Sequence, residues 1–336
     1  MDKWLELVNT KCKDWTVKPS PPDNRNWPLH AIMQIISGPE GASLRHYNRG
    51  IMDQQSSPLC AAYAIIAIIE AFYGLPSGSL SRRFVYWKAK EIDGIPDEIG
   101  TTLHAVLKVA LKIGACSEKL CPSWPDWSKP FFTPEMLKSA EKHKIKAYAR
   151  LNVGTLEEIE QAIASGRMVI AGSLVTSIDW ADGWILKPEG SIKGGHATVL
   201  DEYNRNLIHD EYKRFAGGPN SWGTDWGFDG YYHMAEDYAK WRDLDIGLYG
   251  LMEAWAVDFD TALIPEIIHT PQVYQFDVPP MIINGRTMVE MRGLANVTGA
   301  TGICYDDAVK RITLDYPDRV VSLQVGKKDY QVTKKE

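Results

Sequence analysis

The sequence predicts an α+β fold: a helical lobe, a strand-rich lobe, a cleft between them, and then a small separate α+β domain. Three observations carry that expectation. Segments with helical spacing fill the first half of the chain. From residue 167 they give way to short β-type runs broken by glycine and asparagine. A second change of composition follows "TALIPEIIHTPQ" (261–272) and leaves about 65 residues, enough for a small domain. The 336 residues suffice for one large domain or two smaller ones. The expected boundaries are a lead-in over 1–20, a first domain over 21–262 and a second over 266–336.

Taken in order, "DKWLELVNTKCKDW" (2–15) has room for a short helix at most. Residues 16–30, "TVKPSPPDNRNWPLH", are proline-rich and polar and read as extended chain. A helix begins at Pro58, runs through the apolar stretch Ala61 to Ile69, and is stopped by Gly74 and Pro76. Residues 81–93 and 101–114 carry helical spacing; in the latter Leu103, Val106, Leu107 and Leu111 share a face and Gly114 ends it. Further helices are expected over 133–144 and 155–166. Thr133 with Glu135, and Thr155 with Glu157 and Glu158, are the capping starts. Five β-type runs follow: "RMVIAGSLV", "GHATVLDEYN", "NLIHDEY", "GYYHMA" and "EAWAVDF". The last domain reads strand, turn at Asn284–Gly285, helix, then strands.

Charge is mixed, with a net of −6 and no basic tract, which argues against a nucleic-acid partner. The longest apolar run is far too short to span a bilayer. The N-terminus lacks a basic region followed by a long apolar stretch, so a cytoplasmic protein as synthesised is expected. Five scattered cysteines argue against a disulfide framework. Cys116 and Cys121 have no neighbouring ligand pair for zinc, and neither a metal nor another cofactor is expected.

Cys60 opens the long apolar helix in "IMDQQSSPLCAAYAIIAIIEAFYG". A free cysteine beside two alanines is ordinarily a packing residue. A thiol in the first helical turn, however, faces the positive end of the helix dipole, which favours thiolate. A nucleophile also needs a base. His196, in "KGGHATVLDEY", follows Gly194 and Gly195, and paired glycines leave room for a substrate backbone. Asn220 opens "NSWGTDWGFDGY". Its side chain could fix the tautomer of His196, with Trp222 shielding that bond from water. The alternative for this stretch is a tight turn packed by tryptophans.

These residues resemble the papain family of cysteine peptidases. The likeness rests on Gln54 six residues before Cys60, on "GGHAT", and on "NSWGTDWGFDGY"; it covers roughly residues 20–260. His196 lies 136 residues after Cys60, within the family's separation, and Asn220 lies 160 after it, slightly beyond. "PPDNRNWPLH" and "EAWAVDF" resemble the opening and closing segments of bacterial members. The resemblance implies a papain-like fold with a β-barrel-like second lobe and a Cys60–His196–Asn220 triad in which thiolate pairs with imidazolium. It implies an oxyanion hole made by Gln54 and the Cys60 N–H, with Gly100, Gly194, Gly195 and Trp222 lining a peptide-binding cleft. Departures are Ser57 in place of a disulfide cysteine, Leu59 in place of a small residue beside the nucleophile, and Ala61 in place of tryptophan. They leave open a second reading, a catalytically silent binding or structural protein associated with an envelope or phage. The segment "PPMIINGRTMVEMRGLANVTGA", with "KRITLD" and "VVSLQVGKKDYQV", resembles the copper amine oxidase N-terminal-like (stalk) domain. No histidine lies beyond His269, so this domain is expected to bind a protein or envelope partner rather than copper. Papain-like enzymes usually carry a long inhibitory pro-segment. Here the mature-like opening begins at Pro21, and activity without cleavage is expected.

Overall fold

The computed structural model describes residues 3–23 and 39–259 and, beyond them, six strand segments between 281 and 334. Two units are distinguished, Met1–Ile267 and Ile268–Glu336. The first opens with α1 (Lys3–Thr10) and the two-residue strand β1 (Val17–Lys18), followed by β2 (Gly41–Ser43). The helical lobe holds α2 (Cys60–Phe72), α3 (Arg82–Lys90), α4 (Leu103–Lys112) and α5 (Pro134–Ala140), with β3 (Thr101–Thr102) leading directly into α4.

Local chemistry accounts for these elements. Every residue of α2 but Ala67 is buried, so it is the all-round apolar helix at the centre of the lobe. Gly74, at φ +64°, ends it in the left-handed conformation that glycine adopts freely. Glu70 on α2 forms a fully buried bidentate pair with Arg82 of α3, at 2.9 and 2.7 Å. Ser81, Thr102 and Thr133 cap α3, α4 and α5 by accepting from the third N–H beyond each. Thr155 is different. It accepts from Glu157 N at 3.3 Å, but α6 (Glu157–Ala164) starts from Leu156 without a side-chain cap.

The strands of the second lobe form two open sheets. One has the order β4 (Ala147–Leu151), β11 (Leu251–Asp258), β5 (Val169–Thr176), β7 (Ile192–Leu200), antiparallel throughout. The other runs β2, β8 (Glu202–His209), β9 (Tyr212–Pro219), β10 (Tyr231–Ala235), β6 (Trp184–Ile185), with only the last pair parallel. The barrel-like lobe expected above is therefore corrected to two unclosed sheets. The run "NLIHDEY" is not one strand but the end of β8 and a tight turn into β9, with Asp210 at φ +52°. A short helix, α7 (Glu236–Lys240), follows β10. Helix α2 packs against β7, which brings its N-terminus to the sheet face carrying His196.

In the second unit β12 (Met281–Ile283) and β13 (Arg286–Met288) pair antiparallel, and β14 (Gly302–Asp306), β15 (Arg311–Asp315), β16 (Arg319–Gln324) and β17 (Tyr330–Lys334) form a four-stranded antiparallel meander. The expected turn at Asn284–Gly285 and the helix after it lie outside the described residues. Among the described residues no helix is long and apolar enough to cross a membrane.

Candidate active site

Four elements converge on one point. Cys60 is the first residue of α2, and His196 sits in β7 opposite Ser173 of β5. Asn220 follows the last residue of β9, its N–H held by Gly230 O at 2.9 Å. Gln54 lies in the loop before α2, its N–H on Ser221 O at 2.9 Å.

The imidazole is fixed by its partners. Asn220 Oδ1 accepts from Ser221 N–H at 2.7 Å and lies 2.7 Å from His196 Nε2. The oxygen is thus an acceptor, which places the ring proton on Nε2 and leaves Nδ1 as the free nitrogen. Trp222 stacks on the ring with centroids 4.6 Å apart, and Trp180 meets it edge-on at 5.9 Å. Burial, only partly offset by the Asn220 bond, pushes the imidazole down to about 4.

Gln54 is equally constrained. Its Oε1 accepts from Ser221 Oγ at 2.6 Å and its Nε2 donates to Ser57 O at 2.9 Å, which leaves one amide hydrogen uncommitted. Gln55, its neighbour, is exposed at φ +53° and tied to Asp53. Leu59 is fully buried in the core.

The thiol is also wholly buried, and the covering atoms come from the N-terminal segment. Cys60 Sγ donates to Thr16 Oγ1 at 3.3 Å, and that hydroxyl donates onward to Gly195 O at 2.9 Å. Desolvation outweighs these bonds and raises the thiol pKa. Burial of both groups opposes the thiolate–imidazolium pair expected from the sequence in this closed state.

Residues 15–18, read from the sequence as the end of the lead-in and the start of extended chain, lie across the site. Val17 and Lys18 pair in parallel with Thr101 and Thr102, and Thr101 N–H donates to Thr16 O at 3.2 Å. Gly100, at φ +79°, lies so close that a Cβ there would collide with the carbonyls of Trp15 and Thr16. A Cβ on Gly195 would strike Val17 O, and one on Gly194 would touch the Trp15 indole at 3.8 Å. The three glycines therefore line this segment, while Trp222 sits on His196 instead. Lys90 holds the Gly100 loop by donating to Ile95 O at 2.6 Å and Gly100 O at 3.0 Å, and it pairs with Asp93 at 2.8 Å. Sequence reasoning missed Trp15, Thr16, Val17, Lys18, Trp180 and Ser221. Nothing in "WTVK" carries a period or a motif that would have marked it.

Among the described residues no three histidine, cysteine or carboxylate side chains converge as a metal site. Cys12, Cys60, Cys116 and Cys121 are free thiols.

Residues 103–247 match the papain family cysteine protease model, and residues 269–336 match the copper amine oxidase N-terminal domain. An uncharacterised peptidase C1-like protein of Acanthamoeba polyphaga mimivirus is 27% identical over 182 residues, 49% of this chain and 56% of that protein. The chain thus spans little more than half the length of that relative. Among solved structures, xylellain, a cysteine protease from Xylella fastidiosa, superposes with a TM-score of 0.59 at 21% identity, covering 74% of this chain and 98% of its own. The bromelain protease from Ananas comosus gives 0.50 at 21% identity, covering 66% and 100%. The first unit thus has the fold of papain-like cysteine proteases and matches that family's model over residues 103–247, and residues 269–336 match the copper amine oxidase N-terminal domain.

Proposed function

We propose that the chain hydrolyses peptide bonds in proteins or peptides through a Cys60–His196–Asn220 triad. The observation that carries this is the 2.7 Å His196–Asn220 bond, which aims the free ring nitrogen away from Asn220, together with the Cys60 sulfur linked through the Thr16 hydroxyl to Gly195, the residue before His196. Once the site is open to solvent, His196 takes the thiol proton and Sγ adds to the substrate carbonyl carbon. The oxyanion is received by the uncommitted Gln54 amide hydrogen and the Cys60 N–H, one of the first helical donors that has no partner within its own helix. His196 then gives its proton to the departing amine. Water, deprotonated by the same ring, attacks the thioester and releases the acid.

The C-terminal unit reads as a binding or spacing module for a protein or envelope partner. A peptidyl epoxide tests the catalytic reading. It should alkylate Cys60 in a chain whose N-terminal segment has been loosened, and His196→Ala should slow that reaction. An adduct mapped to Cys12, Cys116 or Cys121 would remove the reading.

A further inference from the structure

We propose that a second cleft, on the face of the sheet formed by β2, β8, β9 and β10, binds a zwitterionic apolar dipeptide between Arg45 and Glu202. The cleft shares no residue with the site around Cys60, and the proposal stands whatever chemistry Cys60 performs. Its volume is about 560 Å³, the size of a small-molecule site. Two cross-strand rows build its floor. Ser43, Glu202, Gly217 and His233 form the first, one residue from each of β2, β8, β9 and β10. Asn204 and Phe215, opposite each other on β8 and β9, form the second, and Leu207 joins them in the lining. Residues two apart along a strand share a face, so the charged row and the row with the Phe215 ring lie side by side.

Each charge in the cleft lacks a counter-charge of its own. Glu202 accepts from Ser43 Oγ at 3.3 Å and lies 3.5 Å from His233 Nδ1, reached across Gly217. A Cβ on Gly217 would come within 3.2 Å of that nitrogen, so glycine keeps the crossing open. Burial pushes the His233 imidazole down, so at neutral pH the ring is uncharged and does not neutralise the carboxylate. The cation is Arg45, at the start of the short helix Arg45–Tyr47. Its guanidinium carbon lies 3.5 Å from the centroid of the Tyr231 ring, and among the described residues it forms no ion pair. Asp201 is fully buried, and both of its oxygens lack a partner among the described residues. Desolvation raises that carboxyl well above its usual value, which favours the neutral acid and leaves Arg45 uncompensated. Arg45 and Glu202 thus line one cleft without pairing, and one molecule bearing a carboxylate and an ammonium satisfies both. A free amino acid carries its two charges on one carbon. A dipeptide sets them apart, as two residues that do not touch require, and fills more of the cleft. Phe215 and Leu207 offer its side chains apolar surface.

The test titrates the full chain with three probes, leucyl-leucine, N-acetyl-leucyl-leucine and leucyl-leucinamide, by calorimetry and by NMR of the His233 ring. Leucyl-leucine should bind and shift the His233 signals. Each cap removes one charge-assisted bond and should weaken binding roughly tenfold or more. Arg45→Gln should bind leucyl-leucine no better than leucyl-leucinamide, and Glu202→Gln should bind it no better than the N-acetyl form. The capped probes on the unaltered chain decide the matter even if a variant fails to fold by circular dichroism. Absence of binding, or equal binding of all three probes by the unaltered chain, would overturn the proposal. So would binding that leaves the His233 signals in place and persists in both folded variants, since the dipeptide would then occupy another site.

Discussion

His196 is held neutral by burial, and its environment makes two measurable statements. Its imidazole sits near 4 against a usual 6.5, so in the intact chain the ring should stay uncharged from neutral pH down to about 4. Nitrogen-15 NMR of the ring should show that midpoint; in Trp15→Ala, which removes the indole over Gly194, the midpoint should move upward as water returns. A midpoint of 6.5 in the intact chain would mean that the ring is solvated. Gln54 supplies the second statement. In the opened chain Gln54→Ala should lower kcat by roughly 10²–10³ with little change in KM, as for loss of one oxyanion donor. Gln55→Ala should do almost nothing, since that side chain turns outward to Asp53. The reverse result would shift the hole by one residue. At this scale Cys60, His196, Asn220 and Gln54 were legible because sequence motifs name them. Thr16 was not, because one hydroxyl in "DWTVK" acquires meaning only when folding brings it to Cys60.

Strand β7 and the Gly100 loop form two walls against which the N-terminal segment lies, and both walls are glycine where they meet it. Gly195 is outside the left-handed region, so alanine there strains no backbone; its methyl group would instead strike Val17 O. Gly195→Ala should therefore loosen the N-terminal segment while leaving β7 paired to β5. It should raise Cys60 alkylation without a large fall in melting temperature, and a variant that melts far lower with Cys60 still protected would count against that placement. Helices α2 to α6 were legible from periodicity, to within a few residues at each end, whereas the five-residue α7 is too short to show a period. The sheets were legible as strands but not as open layers, because closure depends on pairing between distant segments that no local pattern encodes. The two-residue pairing of β1 with β3 was invisible for the same reason. Proline and polar residues in 16–30 report extended chain but not its partner.

At the level of the whole chain, two units are joined near residue 267, and each has its own sheets. A chain ending at Ile267 should fold and should keep the same Cys60 alkylation rate as the full chain, and elemental analysis of the full chain should find no stoichiometric copper. Loss of folding on that truncation would show that the units depend on each other. The composition change after 261–272 falls beside this division, whereas the placement of residues 15–18 over the thiol had no compositional trace. The sharpest test of a Cys60 nucleophile compares peptide hydrolysis by the Trp15→Ala chain, whose N-terminal segment loses its indole over Gly194, with that of the same chain also carrying Cys60→Ala. Steady hydrolysis is expected from the first and background from the second, with both proteins folded. Equal hydrolysis by the two would place the chemistry somewhere other than Cys60.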